Sequence, residues 1–441
     1  MAVEEKEKNK EILVSWKEIS AYLGYEIRTC QRWEKEAGLP VHRILDSSKS
    51  RVFAYKQELD EWIKGKAQSP AKNKWKYLYF LIPLVALIFL YFMFILPSSP
   101  SQPHDFKIEG SELVILDNNN HKLWGYDTEV RGLENEEFYR NHFQIKRLSE
   151  NPIHRNLPLL IIRDMDHNQK KEVLFGLRQI DSNQKGGAFL FFDHKGRVKW
   201  TFNPGREMIF GQKIYSSEYG IFGFTTEDIS NDGLHEIIMI SFNICMFPSQ
   251  LVVLDQKGQL LKEYWNSGRI YDFSFFDLDK DGKKEIILGG CNNEYDKGFL
   301  AVLDHDFTSG GSPQTGYYKS PNLRQGVEEH YLLLPKTIVD DNEFMRGNIN
   351  KIHLIDDEII SAETKSGIYY EFDFNFALKE IRFADRYEEM HDKAYREGLI
   401  QEKFSPKVMA ELKSELIPKV LYFNENKWTG TPLMAKKNNR K

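Results

Sequence analysis

The feature that most constrains this chain is a run of 20 residues without a charged side chain, from Tyr77 to Leu96. A helix of about 20 apolar residues is long enough to span the hydrocarbon layer of a membrane. A buried helix of a globular protein is the alternative, but such a helix usually carries polar residues along one face. About 76 residues come before the run, which is too long a segment for the basic start of a cleaved signal peptide. The sequence therefore predicts one transmembrane helix at 77–96.

The charges beside this run predict its orientation. Five lysines precede it, and the segment 97–104 that follows has neither Lys nor Arg. Positive charge concentrates on the cytoplasmic side of membrane helices. We therefore expect a single-pass protein of the bacterial cytoplasmic (inner) membrane, with its N-terminus in the cytoplasm and its large C-terminal domain outside. The lysines are Lys64, Lys66, Lys72, Lys74 and Lys76.

The first 66 residues have the pattern of two short helices, a hairpin and a third helix. Ser15 and Glu18 form a capping box, and Gly24 ends the first helix. An apolar stripe on the second helix predicts an inward face of Ile27, Cys30, Trp33 and Ala37. Apolar residues on both sides of the polar turn at 46–50 predict a β-hairpin. The third helix is expected to pack back through Leu59, Trp62 and Ile63.

This stretch, SWKEISAYLGYEIRTCQRWEKEAGLPVHR followed by RVFAYKQELDEWI, resembles the excisionase/MerR-like winged helix domain over residues 12–66. It departs from that pattern in starting the second helix with Tyr25 and Glu26. The resemblance implies DNA binding, with the second helix in the major groove and the hairpin as the wing. Solvated helix-face charges are the alternative. The residues expected to contact DNA are Arg28, Thr29, Gln31, Arg32 and Lys35 on the helix, with Arg43, Lys49 and Arg51 on the wing.

The charge of this domain bears on how it would bind. Residues 1–66 hold 13 Lys and Arg against 12 Asp and Glu. Because phosphate attraction supplies most non-specific affinity for DNA, one nearly neutral copy should bind weakly. We therefore expect a homodimer on DNA.

An acidic loop recurs three times after the membrane segment, each time between two apolar strands. The segments are LLIIRDMDHNQKKEVLFG, FGFTTEDISNDGLHEIIMI and FSFFDLDKDGKKEIILGG. Oxygen-bearing side chains fall at loop positions 1, 3, 5 and 9. These are Asp164, Asp166, Asn168 and Glu172 in the first loop, Asp228, Ser230, Asp232 and Glu236 in the second, and Asp277, Asp279, Asp281 and Glu285 in the third.

This spacing predicts calcium binding. Alternate residues of a tight loop direct their oxygens to one point, and calcium takes six to eight oxygen ligands. A polar turn is the alternative for any single loop. The third loop fits best, since the first lacks glycine at position 6 and the second has Ser230 at position 3.

Each acidic loop is followed by a hairpin with an aspartate at its turn, namely Asp193, Asp255 and Asp304. Similar hairpins lie near 111–126 and, more loosely, near 368–383. These repeats resemble FG-GAP/VCBS repeats, the calcium-loop blades of integrin-like β-propellers, over residues 105–383. Only three full loops are visible, fewer than a closed propeller usually needs. The hairpin at 111–126 is a candidate to complete the last blade from the other end of the chain.

The sequence thus predicts a multidomain chain: a small α+β winged helix, one transmembrane helix and an all-β propeller-like repeat domain with C-terminal helices. Its segments are a tail at 1–11, a DNA-binding domain at 12–66, a basic linker at 67–76, the membrane helix at 77–96, a linker at 97–104, the propeller at 105–383 and a helical extension and tail at 384–441.

We find no nucleotide-binding, hydrolase or metalloprotease motif and expect no enzyme activity. Cys245 and Cys291 are expected either to pair or to remain free thiols. The favoured interpretation is a membrane-anchored transcription regulator whose outer domain binds calcium and an unknown ligand. The alternative is a surface adhesion or ligand-binding protein whose cytoplasmic domain docks a protein instead of DNA.

Overall fold

The computed structural model describes residues 11–44, 51–67, 101–140, 157–178, 187–245, 247–343, 345–355 and 358–432. It divides into two compact units, Met1–Ser98 and Ser99–Lys441, called here the N-terminal and C-terminal units. The predicted transmembrane helix at 77–96 lies outside the described residues, as do residues 1–10 of the predicted N-terminal tail, 68–76 of the basic linker and 97–100 of the second linker. Within the described ranges, no helix has the length and apolar character needed to cross a membrane.

The N-terminal unit contains three helices and a three-stranded antiparallel sheet of order β1-β3-β2. The elements are β1 (Ile12–Leu13), α1 (Trp16–Leu23), α2 (Ile27–Ala37), β2 (His42–Ile44), β3 (Arg51–Tyr55) and α3 (Lys56–Ala67). The helix boundaries follow from local chemistry. The Ser15 hydroxyl accepts the Glu18 amide at the start of α1, and Gly24 ends it with a φ of +73°. The Glu18 carboxylate accepts the Val14 amide, whereas a capping box would have it accept that of Ser15.

The core of this unit is formed by Ile19, Leu23, Cys30, Leu39, Ala54 and Leu59. Two residues that the apolar pattern placed in this core lie outside it: Ile27 is 40% exposed and Ile63 is 43% exposed. Ile27 is the first residue of α2, and Tyr25 packs its ring edge-on against Trp33 in its place. Beside Ile63, Trp62 fills the inward position of α3 and donates its indole N–H to the Ala37 carbonyl.

The C-terminal unit is a mostly β, propeller-like domain with few helices. Its strands are β4 (Asp105–Glu109), β5 (Glu112–Leu116), β6 (Lys122–Asp127), β7 (Leu160–Arg163), β8 (Glu172–Gly176), β9 (Phe189–Phe192), β10 (Val198–Phe202), β11 (Met208–Phe210), β12 (Lys213–Tyr215), β13 (Tyr219–Glu227), β14 (Glu236–Asn243), β15 (Ser249–Leu254), β16 (Leu260–Asn266), β17 (Ile270–Phe276), β18 (Glu285–Asn292), β19 (Lys297–Leu303), β20 (Ser309–Gly311), β21 (His330–Leu334), β22 (Ile349–Ile355), β23 (Ile359–Thr364), β24 (Ile368–Phe372), β25 (Leu378–Phe383), β26 (Leu421–Asn424) and β27 (Lys427–Thr429). Its helices are α4 (Glu136–Arg140), α5 (Ile338–Asn342), α6 (Asp385–Arg396) and α7 (Pro406–Leu416), the last followed by a 3-10 turn, Ile417–Lys419.

These strands form five main sheets that follow one another along the chain. The first is β4–β6, the second β7–β10, and the third β13–β16 with β20 added in parallel. The fourth has the order β17-β18-β19-β21-β26-β27, and the fifth is β22–β25. β11 and β12 form a separate hairpin. The hairpin at 111–126 pairs with β4 as the first sheet, so the interpretation that it completes the last blade is wrong.

Neighbouring sheets pack face to face, which explains the continuous apolar runs in their central strands. Along β14, Ile237 and Met239 pack in one core cluster with the second sheet, whereas Ile238 and Ile240 pack in the next cluster with the fourth sheet. On β18, the alternate residue Ile287 faces the fifth sheet. Successive side chains of a strand point to opposite faces, so a strand buried on both faces is apolar throughout.

The segment after residue 384 combines helices and strands. The Ser405 hydroxyl caps α7, with Pro406 in the first turn. Tyr387 of α6 and Leu416 of α7 lie in the core cluster of the fifth sheet. The chain then returns to the fourth sheet, where β26 pairs with β21. This extension is therefore part of the β domain. It contains helices, as the sequence pattern predicted, and also two strands, β26 and β27, which the pattern did not predict.

Candidate functional sites

The three acidic loops have one backbone conformation and join equivalent pairs of strands, β7–β8, β13–β14 and β17–β18. Position 4 has a positive φ in each loop, at His167, Asn231 and Lys280. Position 6 does too, with values of +66° at Gln169, +85° at Gly233 and +91° at Gly282. The missing glycine of the first loop therefore does not change its fold, although a residue with a side chain bears the strain there.

Backbone hydrogen bonds to the side chains hold each loop in this shape. The glutamate at position 9 accepts the amide of position 2 in all three loops, through Glu172, Glu236 and Glu285. The side chain at position 5 accepts the amide of position 7, as Asn168, Asp232 and Asp281 do. One oxygen of each position-5 side chain is therefore already engaged in a turn.

Carboxylates converge in the first and third loops. Asp164, Asp166 and Glu172 place one oxygen each within 4.8 Å of one another, and Asp277, Asp279 and Glu285 do the same. Within the described residues, the second loop does not form such a group. Its Ser230 hydroxyl donates to Glu236 at 2.9 Å. The hydroxyl thus occupies an oxygen that would otherwise be available to a cation.

The position-1 aspartates differ in how many hydrogen bonds their carboxylate oxygens accept. Asp164 and Asp228 accept backbone amides on both carboxylate oxygens. Asp277 accepts the Gly282 amide on Oδ2 only. Its Oδ1 is buried and has no hydrogen-bond partner in the described part of the chain. A buried oxygen without a donor is rare and calls for an explanation, of which a bound cation is one.

Burial raises the pKa of the position-9 glutamates. The pKa of Glu172 and of Glu236 is raised, and that of Glu285 is raised to about 7, chiefly because each carboxyl is desolvated. Neighbouring carboxylates act in the same direction, Asp279 and Asp281 in the case of Glu285. The third loop therefore concentrates negative charge in a buried place, which a cation would relieve.

The hairpin aspartates have a structural role. Asp193 and Asp255 each accept two backbone amides of their own turns. Each hairpin is also held by the preceding sheet: the Trp124 indole donates to the His194 carbonyl, and the Trp200 indole to the Gln256 carbonyl. In the next repeat Lys262 takes the place of the tryptophan and donates to the Phe307 carbonyl at 3.0 Å.

Gln102, which no sequence pattern predicted as a site residue, binds the first loop. The side-chain amide of Gln102 donates to the Gln169 carbonyl at 2.7 Å and accepts the Lys171 amide at 3.1 Å. The entry of the chain into the C-terminal unit is thereby tied to this loop, and residues 101–104 line a cavity with Asp164. No spacing or motif marks a glutamine that lies more than 60 residues from its partners.

The predicted DNA-contacting residues fall on one helix and two strands of the N-terminal unit. Arg28, Arg32 and Lys35 are exposed on α2, while Thr29 and Gln31 are half-buried. Arg51 is exposed on β3, and Lys49 lies outside the described residues. Arg43 forms two hydrogen bonds of 2.9 and 3.0 Å from one nitrogen to the Glu34 carboxylate on α2. A phosphate would have to compete with Glu34 for this arginine.

The two cysteines of the C-terminal unit do not pair. Cys245 is an exposed free thiol and Cys291 a buried one, as is Cys30 of the N-terminal unit. Of the two arrangements that the sequence left open, the structure has free thiols.

No protein-family model matches the chain, and no curated protein matches it either. Solved structures do. BamB from Moraxella catarrhalis is similar over 64% of this chain and 62% of its own, with 14% identity and a TM-score of 0.31. The Dos1 propeller is similar over 62% and 66%, with 10% identity and a TM-score of 0.33. The C-terminal WD40 domain of Sif2 is similar over 65% and 70%, with 10% identity and a TM-score of 0.26. The chain thus spans less than two thirds of the length of BamB.

Proposed function

We propose that this protein is a single-pass, membrane-anchored, DNA-binding transcription regulator with a calcium-binding propeller outside the cytoplasm. The observation that carries the proposal is the exposed cationic face of α2. Arg28, Arg32 and Lys35 are exposed, whereas Cys30 on the opposite face is fully buried. A helix that packs on one face and exposes basic side chains on the other is suited to the major groove.

The elements around α2 support the same proposal. α1 and α2 meet at the Gly24 turn, and the antiparallel pair β2–β3 follows, with Ile44 opposite Arg51. This is the element order of a winged helix. The winged-helix interpretation assigns Arg28, Thr29, Gln31 and Arg32 to bases or phosphates, and the hairpin to the flanking backbone.

The outer part of the proposal rests on the acidic loops. The donor set fits calcium, since the first and third loops present converging carboxylates and Asp277 has an unpartnered buried oxygen. Asp277, Asp279 and Glu285 would hold the ion in the third loop, and Asp164, Asp166 and Glu172 in the first. Calcium would neutralise these charges and stiffen the edge of the unit.

The membrane part of the proposal rests on the apolar run and its lysines. A signal would cross one helix, most simply by changing dimerisation of the cytoplasmic domain and therefore the number of half-sites held together. The rival proposal, an adhesion protein whose inner domain docks another protein, is favoured by one observation. Glu34 pairs with Arg43, and Glu36 lies 3.9 Å from Arg32, so two of the predicted DNA-binding arginines have a carboxylate partner on α2.

The deciding experiment measures DNA binding of the full chain and its variants. DNA fragments are first selected from genomic DNA by pull-down and sequencing, and affinities are then measured by gel shift. We expect Arg28→Ala and Arg32→Ala to weaken specific binding by about 1–3 kcal/mol for each arginine that contacts a base.

Lys64→Ala is the matched control, because it removes one exposed positive charge from α3 of the same unit. It should leave the preference for the selected sequence unchanged. If the two arginine variants and the lysine variant bind the selected DNA alike, α2 does not recognise its sequence, and the result supports the adhesion proposal.

A further inference from the structure

A histidine lies beside the third acidic loop, although it follows Glu285 by 20 residues in the chain. His305 is in the turn after β19, and its side chain is only 11% exposed. Its Nδ1 atom faces three carboxylate oxygens: Asp304 Oδ1 at 3.3 Å, Glu285 Oε1 at 3.9 Å and Asp281 Oδ2 at 4.0 Å. The Nδ1 atom thus faces oxygens from two separate turns, and Asp304, His305 and Asp306 place one ligand atom each within 4.8 Å of one another.

These separations are close to those of a transition-metal site. Zinc binds histidine nitrogen and carboxylate oxygen at about 2.0–2.2 Å, so the ligand atoms of a tetrahedral site lie about 3.4 Å apart. Asp304 Oδ1, at 3.3 Å from Nδ1, is close to that separation, whereas the oxygens of Glu285 and Asp281 lie farther from Nδ1, at 3.9 and 4.0 Å.

The second nitrogen of the ring has the partner that a metal-bound histidine needs. Nε2 of His305 lies 3.2 Å from Asp306 Oδ1. Histidines that bind a metal through one nitrogen usually donate the other N–H to a carboxylate or a carbonyl, which orients the ring. Asp306 is in place to do this.

Glu285, which also belongs to the third acidic loop, is deeply buried beside His305. Its side chain is 4% exposed, and Oε2 accepts the Leu278 amide. No other side chain within the described ranges donates to Oε1, which is directed at the His305 ring. A carboxylate so buried normally needs a compensating charge.

Lys283 provides the metal-free alternative. Its Nζ lies 2.9 Å from Nε2 of His305. An ammonium can only donate, so Nε2 accepts in this arrangement and the ring proton is on Nδ1, facing the carboxylates. A metal at Nδ1 would move that proton to Nε2, where Asp306 accepts it, and the Lys283 ammonium would turn away.

We propose that His305, Asp304, Asp281 and Glu285 form a binding site for a divalent transition metal of the zinc class. Imidazole nitrogen favours such ions, whereas calcium prefers a shell made only of oxygen. The site therefore differs from the calcium loops in its histidine and in Asp304, although Asp281 and Glu285 are common to it and the third loop. It does not depend on whether the chain binds DNA or calcium.

The test is a zinc titration of the full-length chain after chelator treatment, in competition with a chromophoric chelator. We expect the wild type to bind one zinc ion, and we expect His305→Ala to bind zinc with an affinity more than tenfold lower. His194→Ala is the matched control. His194 follows Asp193 as His305 follows Asp304, but no carboxylate of an acidic loop forms an ion pair with it among the described residues.

Two further measurements separate a lost ligand from a misfolded protein. Asp306→Asn should weaken zinc binding less than His305→Ala does, and cobalt bound to the wild type should show a visible absorption band that His305→Ala abolishes. Asp279→Ala should impair calcium binding and spare zinc binding. The proposal is overturned if the wild type takes up no zinc at micromolar concentrations, or if His305→Ala and His194→Ala behave alike.

Discussion

Asp277 and Asp228 occupy position 1 of their loops, but only one of them has an unsatisfied oxygen. Both oxygens of Asp228 accept backbone amides, and Ser230 satisfies Glu236 in the same loop. Oδ1 of Asp277 has no partner within the described residues. The sequence could rank the third loop first because of its glycine and its aspartate at position 3. It could not show that the Ser230 hydroxyl donates to Glu236, so that this carboxylate is satisfied within the second loop without a cation.

This difference predicts unequal calcium effects for matched substitutions. The C-terminal unit, made as residues 99–441 so that Gln102 is kept, should melt at a higher temperature in millimolar calcium than in chelator. A ligand that binds only the folded state at a hundredfold excess over Kd stabilises it by about 2.7 kcal/mol. Asp277→Ala should remove most of the shift in melting temperature, and Asp228→Ala much less.

The same calcium shift should depend on pH. The pKa of Glu285 is raised to about 7 by burial, so the folded state binds a proton more readily than the unfolded chain does. Without calcium, the stability that this carboxyl contributes therefore falls as the pH rises from about 4.5 towards 7. Calcium needs the ionised carboxylate, so the shift should be larger at pH 8 than at pH 6. A melting temperature that chelator leaves unchanged at pH 8 would mean that these loops are turns without a metal.

At the scale of elements, a tryptophan of one sheet holds the hairpin of the next sheet in two places, at Trp124 and at Trp200. The Trp200 ring stacks on Phe191 with ring centroids 4.9 Å apart, and its N–H reaches the next hairpin at the Gln256 carbonyl, 2.9 Å away. Gly258 in that hairpin has a φ of +79°, and an added Cβ would lie 2.7 Å from the Trp200 ring. This contact between neighbouring sheets thus needs both a large aromatic ring and a glycine.

Two substitutions at Trp200 should separate the hydrogen bond from the packing. Trp200→Phe keeps a stacked ring and removes the N–H donor, so we expect a loss of about 1 kcal/mol in the free energy of unfolding. Trp200→Ala also removes the packing, and should cost about 3–5 kcal/mol. Urea unfolding of residues 99–441 measures both values. Equal losses for the two variants would show that the indole N–H, and not the ring, joins the sheets.

The elements that the sequence could predict are those with a local signal. The strands around the acidic loops and the hairpins after them follow from apolar runs with turn residues between them. The pairing of β20 with β16 and of β26 with β21 could not be predicted in this way. These pairs join segments 43 or more residues apart, and the edge that accepts a strand is determined by packing in three dimensions. The approach of His305 to Asp281 escaped prediction for the same reason.

At the scale of the whole molecule, the proposal requires the two units to lie on opposite sides of a membrane. The described residues do not include the segment that would cross it. The distribution of thiols nevertheless offers a direct test. Cys245 is exposed in the C-terminal unit, whereas Cys30 in the N-terminal unit and Cys291 are buried. The native chain therefore has one reactive position, and it lies in the unit that we place outside.

We expect a membrane-impermeant maleimide to label the chain in intact, reduced spheroplasts. Burial raises the pKa of the Cys30 and Cys291 thiols, which disfavours the reactive thiolate at both positions. Labelling should therefore be lost in Cys245→Ser, which is the matched control, and opening the spheroplasts should add little to the wild-type signal. If the wild type is labelled only after the spheroplasts are opened, the C-terminal unit lies inside. The lysine-rich flank would then not determine the orientation, and a regulator that senses from outside would have to be abandoned.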